Sequence, residues 1–375
     1  MSVRCRSSHN AWDKRVRSAI IGSYVRAAWR TRRGERSRPN RRISMQKVRV
    51  GVIGVGRMGR HHARAYAHFN YLCDFVGVYD VDPAASAAVA QKFEVQAFAR
   101  VEDLLERVDA VTIATPTCFH YDLAEQALQR GVHVLVEKPV CRTVDEARRL
   151  VELARRQGLI VQVGHIERFN PAVRELARVL KRHQVVAVET KRMGPFDPRV
   201  KDLDVIQDMM VHDIDIVRYL LQAEIEHIDA KAQRIKSETF ADHAVCMATL
   251  SNGVIATLTA SRVTEQKIRT MTVICDGAYI EMDYIDRRLT LSRDTRVHYE
   301  SNGKTVSTLE NVGERIYVPD EEPLLAQTQH FLECVRTGRQ PLVSAEDGLS
   351  ALEVVERVQA LVYRQPVPSL NGVAV

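Results

Sequence analysis

The chain has 375 residues, enough for two domains with cores of their own, and its 45% apolar and 27% charged content is that of an ordinary globular protein. No apolar run approaches the roughly 18 residues that span a membrane. The net charge of +7 suggests nucleic acid, but its distribution argues otherwise: residues 1–44 hold twelve Arg and one Lys against Asp13 and Glu35, a net of +11, which leaves −4 for the remainder.

The basic extension over residues 1–44 has the Arg- and Ser-containing, acid-poor composition of an organellar transit peptide. It also fits sequence upstream of a true start at Met45, two residues before the first strand, which is the preferred reading; a basic nucleic-acid arm is the third. Seven cysteines, an odd number with no CxxC pair, and several of them in apolar strands, indicate reduced cytoplasmic usage rather than a disulfide framework or zinc site.

The first strand is the apolar run from Val48, which leads straight into Gly54-x-Gly56-x-x-Gly59. A helix over residues 60–69 follows, then a second apolar strand ending in Asp80. Gly54 makes the tight turn, Gly56 lets backbone approach a pyrophosphate, and Gly59 lets the helix pack on the strand. The helix N-terminus, with Arg57 and Met58, offers free N–H groups to phosphate. Asp80, twenty-one residues after Gly59, is placed to accept from a ribose 2′-OH. A carboxylate there repels a 2′-phosphate, so the cofactor expected is NAD.

Downstream, helices are expected over residues 83–93, 101–107, 121–130 and 143–157, alternating with strands near 95–98, 109–114, 133–137 and 159–164. Alternation of this kind predicts a parallel, doubly wound sheet, a Rossmann domain over residues 45–167. Beyond Gly164 the rhythm changes. Helices near 170–180 and 204–221 flank a strand at 184–191, and from residue 225 to 308 strands alternate with turn signals such as Ser251-Asn-Gly253 and Asp276-Gly277. That predicts a second α/β domain over residues 168–375 with a large open, mostly antiparallel sheet, closed by helices at 323–337 and 347–363.

Ligands of open α/β sheets bind beyond the carboxyl ends of the strands. Thr115, Pro116, His120, Glu137 and Lys138 occupy those ends and are candidate cofactor residues, with Lys138 at the nicotinamide half-site. The Lys138–Pro139 bond is a candidate cis peptide. A second constellation is Asp208-Met-Met-Val-His212-Asp-Ile-Asp215, whose spacing puts Asp208, His212 and Asp215 on one helix face. A carboxylate one turn from an imidazole fixes its tautomer, as a general base requires. A solvated polar face, or a metal site of one His and two Asp, is compatible with the same spacing; no metal is expected. The third is Val163-Gly-His165-Ile-Glu-Arg168-Phe-Asn170-Pro171 at the domain junction, where His165, Arg168 and Asn170 would supply donors to a substrate. A polar hinge loop would look the same.

The glycine motif, Thr115-Pro116 with His120, Glu137-Lys138-Pro139 and Asp208-x3-His212-x2-Asp215 together resemble the Gfo/Idh/MocA oxidoreductase family over about residues 46–365. The usual glycine of that helix motif is Met210 here. The resemblance implies NAD-dependent oxidation or reduction of a sugar or polyol carbon, with Lys138 and His212 flanking the reacting hydroxyl, Asp208 supporting His212 and Asp215 near the substrate. It also implies a homo-oligomer, dimer or tetramer. Within the family, the junction loop and the run from Asp208 to Ile216 look most like the branch that oxidises the 3-hydroxyl of UDP-N-acetylglucosamine. That chemistry feeds an aminotransferase and 3-amino sugars such as those of lipid A. Inositol dehydrogenases and NAD-dependent glycosidases of related build are the rival enzymes, and a non-enzymatic nucleotide-binding regulator is the rival from another class.

Overall fold

In the computed structural model, residues 47–198, 203–301, 304–364 and 367–368 are described, those at 294–311 by their backbone alone. The extension expected over residues 1–44 and the start at Met45 lie outside the described residues, as does a further turn signal, Asn302-Gly303, between the last two strands.

Strand β1 (Val48–Ile53) enters helix α1 (Arg57–His68), followed by β2 (Cys73–Tyr79), α2 (Pro83–Phe93), β3 (Gln96–Ala97), α3 (Val101–Leu105), β4 (Ala110–Ile113), α4 (His120–Gln129), β5 (His133–Val136), α5 (Val144–Gln157) and β6 (Val161–Val163). The six strands form one parallel sheet in the order β3-β2-β1-β4-β5-β6, the doubly wound arrangement expected from the alternation. Local chemistry fixes the helix starts. The Asp82 carboxylate accepts from Ala84 N at 2.9 Å ahead of Pro83, and Thr143 with Glu146 makes a full capping box on α5. β1, β4 and β5 bury nearly every residue, which is why they read as continuous apolar runs.

The second part begins with α6 (Pro171–Leu180) and β7 (Val185–Met193), then a π-helical turn at Ile206–Met210 that runs into α7 (Val211–Leu221). Strands β8 (Ile225–Gln233), β9 (His243–Leu250), β10 (Ile255–Ser261), β11 (Ile268–Cys275), β12 (Ala278–Asp283), β13 (Arg288–Ser301) and β14 (Lys304–Ile316) follow, then α8 (Pro323–Thr337) and α9 (Ala345–Val362). The eight strands order as β14-β13-β12-β11-β7-β10-β9-β8. Only β7 and β10 are parallel, so the sheet is mostly antiparallel, as expected. Its inward face, including Leu258, Met271, Val273 and Ile280, packs on Leu176, Ile214, Val217, Val355 and Val358 of the helices.

The last two helices tie this sheet to the first. Phe331, Leu332 and Cys334 of α8 are buried with Val48 and Val50 of β1 and Tyr66 of α1, and α9 contacts both α5 and α7. The junction between β6 and α7 is therefore walled by both parts of the fold.

Candidate active site

The glycine loop has the geometry a dinucleotide needs. Gly54 sits at φ +84°, and a Cβ there would lie 2.8 Å from Ala114 O. A Cβ on Gly59 would lie 1.8 Å from Gly54 O, so only glycine lets α1 start this close to β1. Around Gly56 the space is open, with no atom within 4 Å of a built Cβ. Arg57 and Met58 open α1 there, Arg57 fully on the surface. The Asp80 carboxylate accepts from Val55 N at 2.6 Å and Asp82 N at 2.9 Å, pinning the loop to the end of β2. Two acceptor positions remain for a ribose hydroxyl.

Thr115 and Pro116 border the cleft after β4. His120 and Glu137, expected to touch the cofactor, are also engaged in bracing the loops around it. The buried His120 ring bridges two loops, Nδ1 to Pro139 O at 2.8 Å and Nε2 to Thr115 O at 3.0 Å. Burial pushes its pKa down against the pull of those carbonyls, so the neutral ring serves one of them at a time. Glu137 pairs with the buried His62 at 2.8 Å, and its carboxyl meets the space beside Gly164. Burial alone would raise the Glu137 pKa, but the His62 bond and the Lys138 and His120 charges bring it below the usual range. His120 is buried and Glu137 partly so, and both brace the loops that follow the strand ends.

Lys138 projects into the cleft through a cis Lys138–Pro139 peptide. Its Nζ donates to Asp208 O at 2.6 Å and to Asp208 Oδ1 at 3.1 Å, which leaves the third N–H free. Burial favours a protonated Asp208, but the Lys138 charge and hydrogen bond outweigh it and hold the carboxyl below its usual range. Asp208 was expected to orient His212, and the structure gives it to Lys138 instead. Residues i and i+4 share a face only in an α-helix, whereas Ile206–Met210 winds as a π-helix, a feature common at functional sites, and this re-aims Asp208 toward Lys138.

His212, in the first turn of α7, is partly exposed to the cleft, and its buried Nδ1 has no hydrogen-bond partner among the described residues. Burial, then the cations Lys138 and Arg192, push its pKa well below the ordinary value. The arrangement is thus an ammonium locked by a carboxylate beside a neutral imidazole. His165 is buried near the same groups, again with an unpartnered Nδ1 and a lowered pKa whose main cause is burial.

The other three residues expected to bind substrate belong to the frame. Arg168 donates to Asp215 through Nε (3.0 and 3.1 Å) and Nη2 (2.6 Å), to Asp347 Oδ1 at 3.0 Å and to Leu342 O at 3.0 Å; Arg168 is 4% exposed and Asp215 0%. Asn170 caps α6 through Ala172 N at 3.0 Å and gives its amide to Glu167 and Tyr284 O. All three are buried and already bonded within the frame. Asp347 also caps α9 through Ser344, so this cluster ties α7 to the C-terminal helix. Arg168→Ala would leave Asp215 buried and unpaired. It is expected to destabilise the protein by about 3–5 kcal/mol, read by chemical denaturation; a loss below about 1 kcal/mol would contradict the assignment.

Sequence reasoning passed over a second buried network. Arg192 of β7 donates to Asp213 at 2.9 and 3.0 Å and to Glu167 at 3.0 Å, and its guanidinium lies over the Tyr284 ring at 5.0 Å. Asp213 and Glu167 hold Arg192 charged against its burial. The signal was available: the inward positions Val188, Thr190 and Arg192 of β7 end on a charge. Among the described residues no group of three or more His, Cys, Asp or Glu is placed to hold a metal ion, and no helix is long and apolar enough to cross a membrane.

A parallel sheet with a glycine cradle, and a lysine–carboxylate pair beside a neutral histidine at its mouth, define an NAD-dependent oxidoreductase. Residues 48–165 match the oxidoreductase family model with the NAD-binding Rossmann fold, and residues 187–281 match the C-terminal domain model of the same family. The chain belongs to the Gfo/Idh/MocA oxidoreductase family. It is 35% identical over 329 residues to a UDP-N-acetylglucosamine 3-dehydrogenase of Acidithiobacillus ferrooxidans, covering 85% of this chain and all of that one. A solved structure of that organism's enzyme superposes with a TM-score of 0.76 at 33% identity, over 84% of this chain and 98% of the other. A scyllo-inositol 2-dehydrogenase (NAD+) of Bacillus subtilis is 27% identical over 82% of this chain and 92% of its own length.

Proposed function

We propose that the protein oxidises the 3-hydroxyl of UDP-N-acetylglucosamine to the 3-keto nucleotide sugar, with NAD as hydride acceptor. The observation that carries the reading is the Lys138–Asp208 pair beside a neutral His212, in a chain that matches a UDP-N-acetylglucosamine 3-dehydrogenase along that enzyme's whole length. The open space at Gly56 and the Asp80 carboxylate fit a dinucleotide without a 2′-phosphate. NAD, when bound, supplies the hydride acceptor, and that chemistry is its own.

The residues of this chain do the rest. His212, uncharged and facing the cleft, takes the proton of the 3-hydroxyl. Lys138 turns its free N–H to the same oxygen and stabilises the negative charge that develops there. Asp208 holds the Lys138 side chain and fixes its direction, so no reorganisation is needed during the reaction. We assign residues 45–167 to the coenzyme and 168–375 to the substrate and to assembly.

The product ketone would pass to an aminotransferase of a 3-amino-sugar pathway such as that of lipid A, and free buried cysteines support a cytoplasmic setting. A homo-oligomer is supported by Val245, Met247, Ile255 and Tyr279, which stand exposed on the outward face of the eight-stranded sheet. The similarity to an inositol dehydrogenase supports a second reading, oxidation of a free polyol. The test is NADH absorbance with purified protein, NAD and UDP-N-acetylglucosamine, with a glutamate-dependent aminotransferase to draw off the ketone. NADH is expected with the nucleotide sugar and not with free N-acetylglucosamine or myo-inositol. Signal with the polyol alone would replace the substrate.

A further inference from the structure

The inward face of the eight-stranded sheet is apolar until its rim near the cleft, where Arg192 of β7 and Arg269 of β11 are register partners. Like charges directly opposite each other destabilise a strand pair, so something must compensate. Arg192 is satisfied by Asp213 and Glu167. Arg269 is not. Its closest carboxylate oxygen is Glu167 Oε1 at 4.0 Å, which already accepts from Arg192 at 3.0 Å. Its Nε is buried with no hydrogen-bond partner among the described residues. Two residues earlier, Lys267 is exposed and without an ion-pair partner among the described residues.

The neighbours place this pair at the active cleft. Arg269 pairs in register with Arg192, whose guanidinium holds Asp213, the residue next to His212. Lys267 is repelled first by Arg269 and more weakly by Arg57, across the cleft at the start of α1. Two cations left short of anions, next to the catalytic pair, make a site for a multiply charged anion. A guanidinium is suited to phosphate because its fork matches two oxygens at once.

We propose that Arg269 and Lys267 bind the diphosphate of a nucleotide-linked sugar and so select it over uncharged sugars and polyols. The proposal rests on the nucleotide-sugar reading and adds the residues that enforce it. Because Arg57 borders the same space, the coenzyme's own diphosphate is the other source of that chemistry, and the experiment separates the two.

The test is calorimetric titration of UDP and of UDP-N-acetylglucosamine into the full-length protein loaded with NADH, which needs no turnover. Arg269→Gln is expected to weaken UDP binding by about 10- to 100-fold, the loss of a charge-assisted hydrogen-bond pair. Arg269→Lys should lose less, and Lys267→Ala about 3- to 10-fold, with NADH affinity within two-fold of wild type throughout. Lys267 is exposed, so its variant keeps the test decisive if Arg269→Gln does not fold. Unchanged UDP affinity in these variants would overturn the subsite and leave the nucleotide-sugar reading standing. A drop in NADH affinity with UDP affinity intact would assign the cations to the coenzyme and also overturn it. A wild-type protein that binds neither UDP nor the UDP-sugar would overturn the reading itself.

Discussion

Replacing Lys138 by Met is expected to lower kcat by about a hundred- to a thousand-fold while NAD binds within a few-fold of wild type. The magnitude is that of removing one pre-aimed donor from a developing oxyanion. Lys138 is suited to that role because Asp208 spends two of its N–H groups and leaves one for the substrate oxygen. Met keeps the length and apolar stem of the side chain, so the loss reports the ammonium and not a cavity. Coenzyme affinity should hold because the glycine loop, Asp80 and the helix start of α1 do not depend on Lys138. Stopped-flow turnover and NADH fluorescence titration check both halves. A variant with near-normal kcat would remove Lys138 from the chemistry.

His212→Ala is expected to lower kcat by roughly a hundred- to ten-thousand-fold, the range for loss of a general base. The pH profile carries the finer test. Burial and the nearby cations disfavour the imidazolium, so the neutral, proton-accepting form of His212 persists where an ordinary histidine is already charged. In the wild type, kcat/KM should therefore stay level as pH falls through 6.5 and decline only below it. An acid limb centred at or above 6.5 would contradict His212 as the base. The residual activity of His212→Ala should lose that limb altogether.

The Rossmann half was legible because its signals are local. Buried parallel strands read as continuous apolar runs, the glycines answer to backbone contacts a few residues away, and Asp82-Pro83 and Thr143 announce helix starts. The position of Lys138 followed from the end of β5. The relation of Asp208 to its neighbours did not follow, because the spacing argument presumed an α-helix and nothing in Ile206–Met210 marks a π turn.

Arg168 and Asp215 looked like substrate groups for a related reason. Their pairing joins residues 47 positions apart, and only the fold shows that they are buried against each other. His165 lies on the same junction loop and is buried too, but its Nδ1 has no hydrogen-bond partner among the described residues. Arg192 and Arg269 belong to no clustered motif. Their pairing is a matter of strand register, and neither sits in a recognisable pattern.

The most direct test of the central assignment is transfer of deuterium from UDP-N-acetylglucosamine labelled at C3 of the sugar, followed by mass spectrometry of the coenzyme. Oxidation at the hydroxyl held by Lys138 and His212 should place the label in the reduced coenzyme, while substrate labelled at C4 should give unlabelled NADH. Label retained in the sugar, or transferred from C4 in place of C3, would contradict oxidation of the 3-hydroxyl.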